Sequence, residues 1–269
     1  MTIAPVKVIL AAHSGFGKTG ASASLAGMGL GLRVLDIDNG SDILFNLLTQ
    51  ADSPYVIANA KVGERLESVV KLAERRKSTG GKLSIVRAEV WSKASALIEK
   101  WIDPSTGKDF GSITEWTTDH VLIIGSFTRL AESALRYIQG LNGRLNQHPY
   151  QSDYGDAQQL LRSFLEIITS PDVGCNVVLE CHIEGVEQSD GTFQDFPRAV
   201  GKALSPVIGT YFNTLLEIKK SGQGSAMKRV IRTVPTGSLG VKNTAPHKVP
   251  SEYELHDGLA QYFQAVRGV

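Results

Sequence analysis

The first forty residues restrict the fold of this chain more than any other stretch. Val6 to Ala12 (VKVILAA) is a short apolar run that ends in a glycine-bearing loop, His13 to Gly17. Small residues follow from Lys18 to Leu30, where Ala21, Ala23, Leu25, Ala26 and Met28 suit close packing of a helix. A second apolar burst, Arg33 to Ile37, is closed by the turn signal Asp38-Asn39-Gly40. Strand, glycine loop, helix and strand make a βαβ unit. Its two strands run parallel and its crossover is right-handed.

The loop has a chemical reading of its own. Ala12-His13-Ser14-Gly15-Phe16-Gly17-Lys18-Thr19 matches G-x-x-x-x-G-K-[ST] at every fixed position except the first, where alanine stands for glycine. Two glycines let the backbone curl with its N–H groups turned inward, which forms a nest for an anion. The helix starting near Lys18 adds the positive end of its dipole. The pattern predicts that Ser14, Gly15, Phe16, Gly17, Lys18, Thr19 and Gly20 cradle the phosphates of ATP or ADP. Lys18 would reach the β- and γ-phosphates and Thr19 would place its hydroxyl on Mg²⁺. The plain alternative is a glycine-rich turn with an incidental lysine. The strand before the loop and the small-residue helix after it are the context that the motif requires.

Further along, Val62 to Arg76 has apolar residues at helical spacing, Lys82 to Ala88 reads as a strand, and Trp91 to Trp101 as a helix. Asp103 to Gly111 is rich in turn formers. Val121 to Ile124 is a core strand, followed by a helix over Thr128 to Leu141, a polar loop from Asn142 to Asp153 and a helix over Gly155 to Thr169. Asn176 to Cys181 is the next buried strand, Gly185 to Gly201 is polar and looped, and Gly237 to Pro250 is a loop. Tyr211 to Lys219 and Lys228 to Thr233 read as a hairpin about Ser221 to Ala226. The expected architecture is one α/β domain over residues 1–269: a mostly parallel central sheet flanked by helices, with antiparallel carboxyl-terminal strands.

A net charge of +1 gives no global argument for nucleic acid, and no stretch reads as strongly basic. Cys175 and Cys181 do not make a disulfide framework, and no apolar run approaches the ~20 residues of a membrane span. A cytoplasmic protein without a membrane partner is expected.

A phosphate loop works with a carboxylate at the end of a buried strand, which holds Mg²⁺. The place for it, after Val121–Ile124, holds Gly125 and then Ser126. Ser126 can hydrogen-bond the metal's water shell but carries no charge. Asp36 and Asp38, at the carboxyl end of the second strand, are the first substitutes. Asp38 could orient or deprotonate an attacking water, or merely make a turn. His182 ends the Asn176–Cys181 strand, where a polar side chain can sense a γ-phosphate or serve structure alone. Glu180 and Glu184 are nearby alternatives, and a Glu180 pointing into the sheet needs a partner.

Together these positions resemble the RecA-like P-loop ATPases, and within them compact phage-encoded nucleotide-binding proteins that include single-strand-annealing ATPases. The resemblance spans most of the chain. Ala12–Thr19 is similar to the Walker A loop, and Leu35-Asp36-Ile37-Asp38 to the strand that carries the catalytic acid. His120–Leu130 is similar to the Walker B strand with Gly125 in place of its aspartate, and Val177–His182 to the γ-phosphate-sensing strand. Arg229–Pro246 resembles the late strands, which implies that Lys242 reaches the ATP of a neighbouring subunit in a ring or filament. Tyr154-Gly155 fits the phage subgroup. The resemblance implies ATP, Mg²⁺, single-stranded DNA, a homo-oligomer and the cytoplasm of a bacterial host. Arg144, His148 and Tyr150 in one loop, and Phe193, Phe196 and Arg198 in another, are residue types that grip single strands. Gly125 also keeps open a different class, a nucleotide-stabilised assembly protein with little or no hydrolysis. A small-molecule kinase ranks last for want of an arginine-rich lid.

Overall fold

The structure is a computed structural model that describes residues 4–49, 65–201, 203–222, 227–235 and 237–268. The chain opens with β1 (Lys7–Ala11), α1 (Lys18–Gly27), β2 (Gly31–Asp36) and α2 (Asp42–Thr49). Then come β3 (Leu66–Lys71), β4 (Arg75–Thr79), β5 (Lys82–Arg87) and α3 (Val90–Glu99). The middle of the chain is β6 (His120–Gly125), α4 (Phe127–Leu141), α5 (Gln151–Thr169) and β7 (Asn176–Cys181). The last part holds β8 (Ile183–Glu187), β9 (Phe193–Pro197), α6 (Ser205–Ile208), β10 (Thr214–Ser221), β11 (Lys228–Arg232), β12 (Glu252–Glu254) and α7 (Leu255–Arg267).

Eight strands form the central sheet in the order β12-β11-β10-β1-β7-β6-β2-β3. From β10 to β3 all neighbours are parallel, while β11 and β12 join antiparallel at the edge. The central parallel strands are apolar almost throughout because both of their faces are covered. Alternate residues feed two cores. Val8, Leu10, Val121, Ile123 and Val178 face α1, α2 and α7, whereas Ile9, Leu122, Ile124, Val177 and Leu179 face α3, α4 and α5. Small residues on α1 allow close approach to α7, where Ser24 Oγ accepts the backbone N–H of Ala260 at 3.1 Å. Because the strands are parallel, every loop leaving their carboxyl ends gathers on one edge of the sheet.

The expected architecture is therefore present: an α/β sheet, mostly parallel, with helices on both faces and antiparallel carboxyl-terminal strands. Several local expectations change. The helix read over Val62–Arg76 is two strands, β3 at the sheet edge and β4 outside it, with residues 62–64 outside the described range. Leu66 and Val69 pack toward one core and Val70 toward the other, so the apolar spacing serves a strand as well as a helix. The strand at Lys82–Arg87 pairs with β4 in a separate antiparallel ribbon instead of entering the central sheet. That ribbon also corrects the view that no stretch is strongly basic. Arg75, Arg76, Lys77, Lys82 and Arg87 lie on it, with no acid between residues 75 and 88.

The 142–153 loop is shorter than expected, because α5 begins at Gln151 and contains Tyr154 and Gly155. Asp153, fully buried, takes hydrogen bonds from Asn142 Nδ2 at 2.9 Å and Tyr150 N at 2.8 Å, and an ion pair from Arg144. The polar 185–201 stretch contains the β8–β9 hairpin. The expected β10–β11 hairpin is present, its turn at 223–226 outside the described residues. Among the described residues no helix is long and apolar enough to cross a membrane.

Candidate functional site

The loop between β1 and α1 sits on the carboxyl edge of the sheet. Ala12 N–H bonds to Cys181 O at 3.1 Å, which fixes the loop's start against the end of β7. Gly15 (φ 76°) and Gly17 (φ 100°) occupy the left-handed region, where a side chain is strained. At Gly17 a Cβ would also meet Leu255 Cδ2 at 2.8 Å. Both glycines of the loop are thus required by backbone geometry. Gly17 caps α1, so the free N–H groups of that helix's first turn open onto the loop.

Lys18 lies almost buried beneath the loop. Its Nζ is 3.3 Å from Ala12 O and 3.5 Å from His13 O. It also lies 3.3 Å from His182 Nδ1. An ammonium has donors only, so Nδ1 accepts and the ring carries its proton on Nε2. That nitrogen faces Asp38 Oδ2 at 3.9 Å. Burial lowers the pKa of the Lys18 amine, and carboxylates at Glu180 and Asp38 work against that fall. Burial also lowers the His182 ring, with the Lys18 charge next in effect. Three residues from three elements, singled out in the sequence, meet at one point.

Glu180, an alternative to His182 in the sequence, joins the site from inside the sheet. It shares a strand face with Val178, on the α1 side, and is fully buried. Thr19 Oγ1 donates to its Oε2 at 2.9 Å and Ser22 Oγ to its Oε1 at 2.7 Å. Burial pushes its carboxyl up to about 7, against the pull of those two hydroxyls and of Lys18. The partner that a buried Glu180 needs is therefore on α1. Its sequence signal is one acidic residue interrupting the apolar run NVVLEC in phase with Val178.

The other candidates fall into two groups. Asp36 is occupied: Oδ1 accepts Gly40 N–H and Oδ2 accepts Ser41 N–H, both at 3.0 Å, which fixes the turn into α2. Asp38 stays beside the site, since a Cβ on Gly40 would lie 3.2 Å from Asp38 Oδ1 and 3.5 Å from Thr19 Oγ1. Ser126 follows Gly125 at the start of α4, with its hydroxyl fully buried and without a hydrogen-bond partner. Lys242 is not brought to this edge. It is exposed, and its backbone pairs with Leu215 near the amino end of β10.

Basic side chains around the loop complete the electrostatics. A polar cavity of about 340 Å³ beside His13, Ser14 and His182 is lined by Arg129 and Arg198. Both arginines are steered by carboxylates, Arg129 by Glu132 at 2.8 Å and Arg198 by Glu132 and Glu184, each at 3.7 Å. Lys220 lies over the Phe16 ring at 5.2 Å, and Arg229 Nη1 would be 3.6 Å from a Cβ on Gly17. No motif marks these four cations; the strand order and α4 bring them here. A larger cavity of about 550 Å³ sits at the other edge, lined by Lys7, Tyr211 and Arg267. It lies at the amino ends of β1 and β10, away from the loop chemistry. Of the earlier loop candidates, Arg144 is tied to Asp153 and stacks 4.5 Å from the Tyr150 ring centre, while Phe193 is exposed.

Thr19, Glu180 and Asp38 offer hard oxygen donors, so the donor set fits a cation such as Mg²⁺. Among the described residues no group of three or more His, Cys, Asp or Glu could hold a metal alone. A cation here would have to share its coordination with phosphate oxygens, as Mg²⁺ commonly does.

No protein-family model matches the sequence, and no curated protein matches it. Among solved structures it is similar to the RadB recombinase, at 11% identity and TM-score 0.44 over 86% of this chain and 81% of that one. The flagellar accessory protein FlaH from Methanocaldococcus jannaschii gives 10% identity and TM-score 0.44, over 93% and 84%. A KaiC-like protein from the archaeon Pyrococcus horikoshii gives 11% and 0.41, over 85% and 78%. At such identities and TM-scores, what the chain does has to be read from its own residues.

Proposed function

We propose that this chain is a RecA-like nucleoside triphosphatase of one domain, acting with single-stranded DNA. The observation that carries the nucleotide reading is the meeting of Lys18, His182 and Asp38 over an anion nest at the carboxyl edge of a parallel sheet. Lys18 and the first-turn N–H groups of α1 would hold the β- and γ-phosphates. Asp38 would orient the attacking water, and His182, hydrogen-bonded to Lys18, would register the γ-phosphate. A Mg²⁺ ion held at the Thr19 hydroxyl would neutralise charge on the phosphate oxygens.

His182 is also wired outward. Its N–H bonds to Thr128 Oγ1 at 3.0 Å, that hydroxyl bonds to Arg198 O at 3.0 Å, and Arg198 N–H returns to His182 O at 2.7 Å. This closed circuit ties the phosphate end of the site to α4 and to the end of β9.

The DNA half of the reading draws support from the β4–β5 ribbon. Arg75 and Arg87 are direct cross-strand partners, and Glu89 beside them takes an ion pair from Arg87 at 3.2 Å. Arg76, Lys77 and Lys82 add exposed positive charge along the ribbon, an array that suits a phosphate backbone. Arg76 lines a cavity of about 260 Å³ with Asp38, Asn39, Arg129 and Arg136, which links the ribbon's base to the nucleotide side. In this reading Lys242, exposed on the opposite edge of the sheet, reaches a neighbouring subunit's nucleotide in a ring or filament. The setting would be recombination or replication of the kind phages encode, in a bacterial cytoplasm.

Gly125 sustains a second reading, a nucleotide-stabilised assembly protein without turnover. Mg²⁺-dependent ATP turnover with and without single-stranded DNA separates the two. Turnover raised by DNA and lost in Lys18→Ala is expected. Tight nucleotide binding with no turnover would favour the assembly protein.

A further inference from the structure

Gly125 and Glu180 are register partners on adjacent parallel strands, β6 and β7. Both face α1, because Ile123 and Val178, two residues before each, belong to the core on that side. A Cβ built on Gly125 would stand 3.2 Å from Glu180 Oε2 and 3.7 Å from its Cδ. That separation is tighter than ordinary carbon–oxygen contact, so even a Cβ at 125 makes the carboxylate give by a few tenths of an ångström, and a longer side chain competes with it for space. An aspartate there would put two carboxylates in one small buried space, where they cannot both stay ionised. Residue 125 and the Glu180 carboxylate are therefore alternatives for the same place.

What occupies that place touches the hydroxyl that matters. Thr19 Oγ1 donates to Glu180 Oε2 at 2.9 Å, which aims the hydroxyl proton at the carboxylate and leaves the oxygen's lone pairs for a cation. Ser22, one turn along α1, holds the other carboxylate oxygen at 2.7 Å and fixes the rotamer. Next in sequence to residue 125, the Ser126 hydroxyl is wholly buried and has no hydrogen-bond partner.

We propose that Glu180 is the acidic group that holds the divalent cation of the bound nucleotide, supplied from β7 because β6 ends in glycine. This rests on the nucleotide reading above and names the carboxylate which that reading lacks. The cation is of the hard class, Mg²⁺ or Mn²⁺, and its binding depends on nucleotide, since no protein cluster could hold it alone among the described residues. A structural role for Glu180, as a buried acid satisfied by two α1 hydroxyls, predicts no link to metal.

The test is equilibrium binding of a non-hydrolysable fluorescent ATP analogue, in EDTA and in Mg²⁺, together with Mn²⁺ electron paramagnetic resonance. The full chain is used as wild type, Glu180→Gln and the double variant Glu180→Ser with Gly125→Asp. In EDTA all three should bind the analogue alike, which also reports that they are folded. Mg²⁺ should tighten binding in the wild type. Glu180→Gln should lose about tenfold or more of that tightening and of its nucleotide-dependent Mn²⁺ affinity. The double variant should recover part of both, because the carboxylate returns from the neighbouring strand. Full metal-dependent tightening in Glu180→Gln would overturn the assignment while leaving nucleotide binding intact. Absence of analogue binding by the wild type, in EDTA and in Mg²⁺ alike, would overturn the nucleotide reading and this assignment with it.

Discussion

The phosphate-loop edge and the β4–β5 ribbon are both built from charge, yet they obey opposite rules. At the loop edge Lys18 and Glu180 are nearly or fully buried, and each is committed to named partners a few ångströms away. On the ribbon, by contrast, every residue of β4 is exposed, Leu83 is 71% exposed and Val86 51% exposed. Burial makes each charge at the loop edge specific, because an unsatisfied charge there is costly. Exposure makes the ribbon's charges interchangeable and screened by salt. In the proposed function the first region does chemistry on one ligand and the second follows a polyanion.

The comparison is broken most forcefully at Asp38. If the loop edge is a reaction site, Asp38→Asn should cut ATP turnover by about 10²-fold or more while nucleotide affinity stays within a few fold. Equal losses in both, from steady-state kinetics and binding titration, would make Asp38 a turn residue instead. Next in size is the ribbon. Replacing Arg75, Arg76 and Lys77 together by serine should weaken single-stranded DNA binding about tenfold or more in moderate salt. It should also reduce the slope of log affinity against log salt by about 2. Stability should move by no more than about 0.5 kcal/mol, since these side chains are exposed. An unchanged salt slope, measured by fluorescence anisotropy, would take DNA away from the ribbon.

A further effect concerns pH and only the ligand-free protein. In the folded chain Glu180 keeps its proton up to about 7, against an ordinary value of 4.5. The folded state therefore binds more protons across that window, and its stability falls as pH rises through it. Glu180→Gln cannot titrate. Relative to that variant, the wild type should lose roughly 3 kcal/mol at most over the window, and no more above it. Urea unfolding at several pH values measures this. A pH-independent difference between the two proteins would show that Glu180 titrates normally.

These regions also differ in how far they could be read from sequence. Gly15, Gly17, Lys18 and Thr19 sit in a contiguous motif whose backbone demands are local, so the loop and the βαβ unit around it were legible. Asp38 and His182 were legible as strand-end positions, because parallel strands deliver their carboxyl ends to one edge. Glu180 was visible as an alternative to His182 and as a residue in need of a partner, but not as a neighbour of α1. Its partners Thr19 and Ser22 are 161 and 158 residues away, and they meet it because β7 inserts between β1 and β6. Strand order of that kind is not written in any local pattern. At β3 and β4 the failure was one of period, since Leu66, Val69 and Val70 suit a helix or a half-buried edge strand equally. Gly80-Gly81 between two short runs is a hairpin signal, and with the cations around it the ribbon could have been found. Helix α7 lacks a side-chain cap at its start, and the sequence reading contains no helix there.

All of these inferences depend on one property of Lys18. Equilibrium binding of ATP with Mg²⁺, by isothermal titration calorimetry on the wild type and on Lys18→Ala, tests it most directly. Saturable binding at one site per chain, weakened at least about tenfold in the variant, is predicted. No binding to the wild type, or equal binding to both proteins, would contradict the assignment of this edge as a nucleotide site.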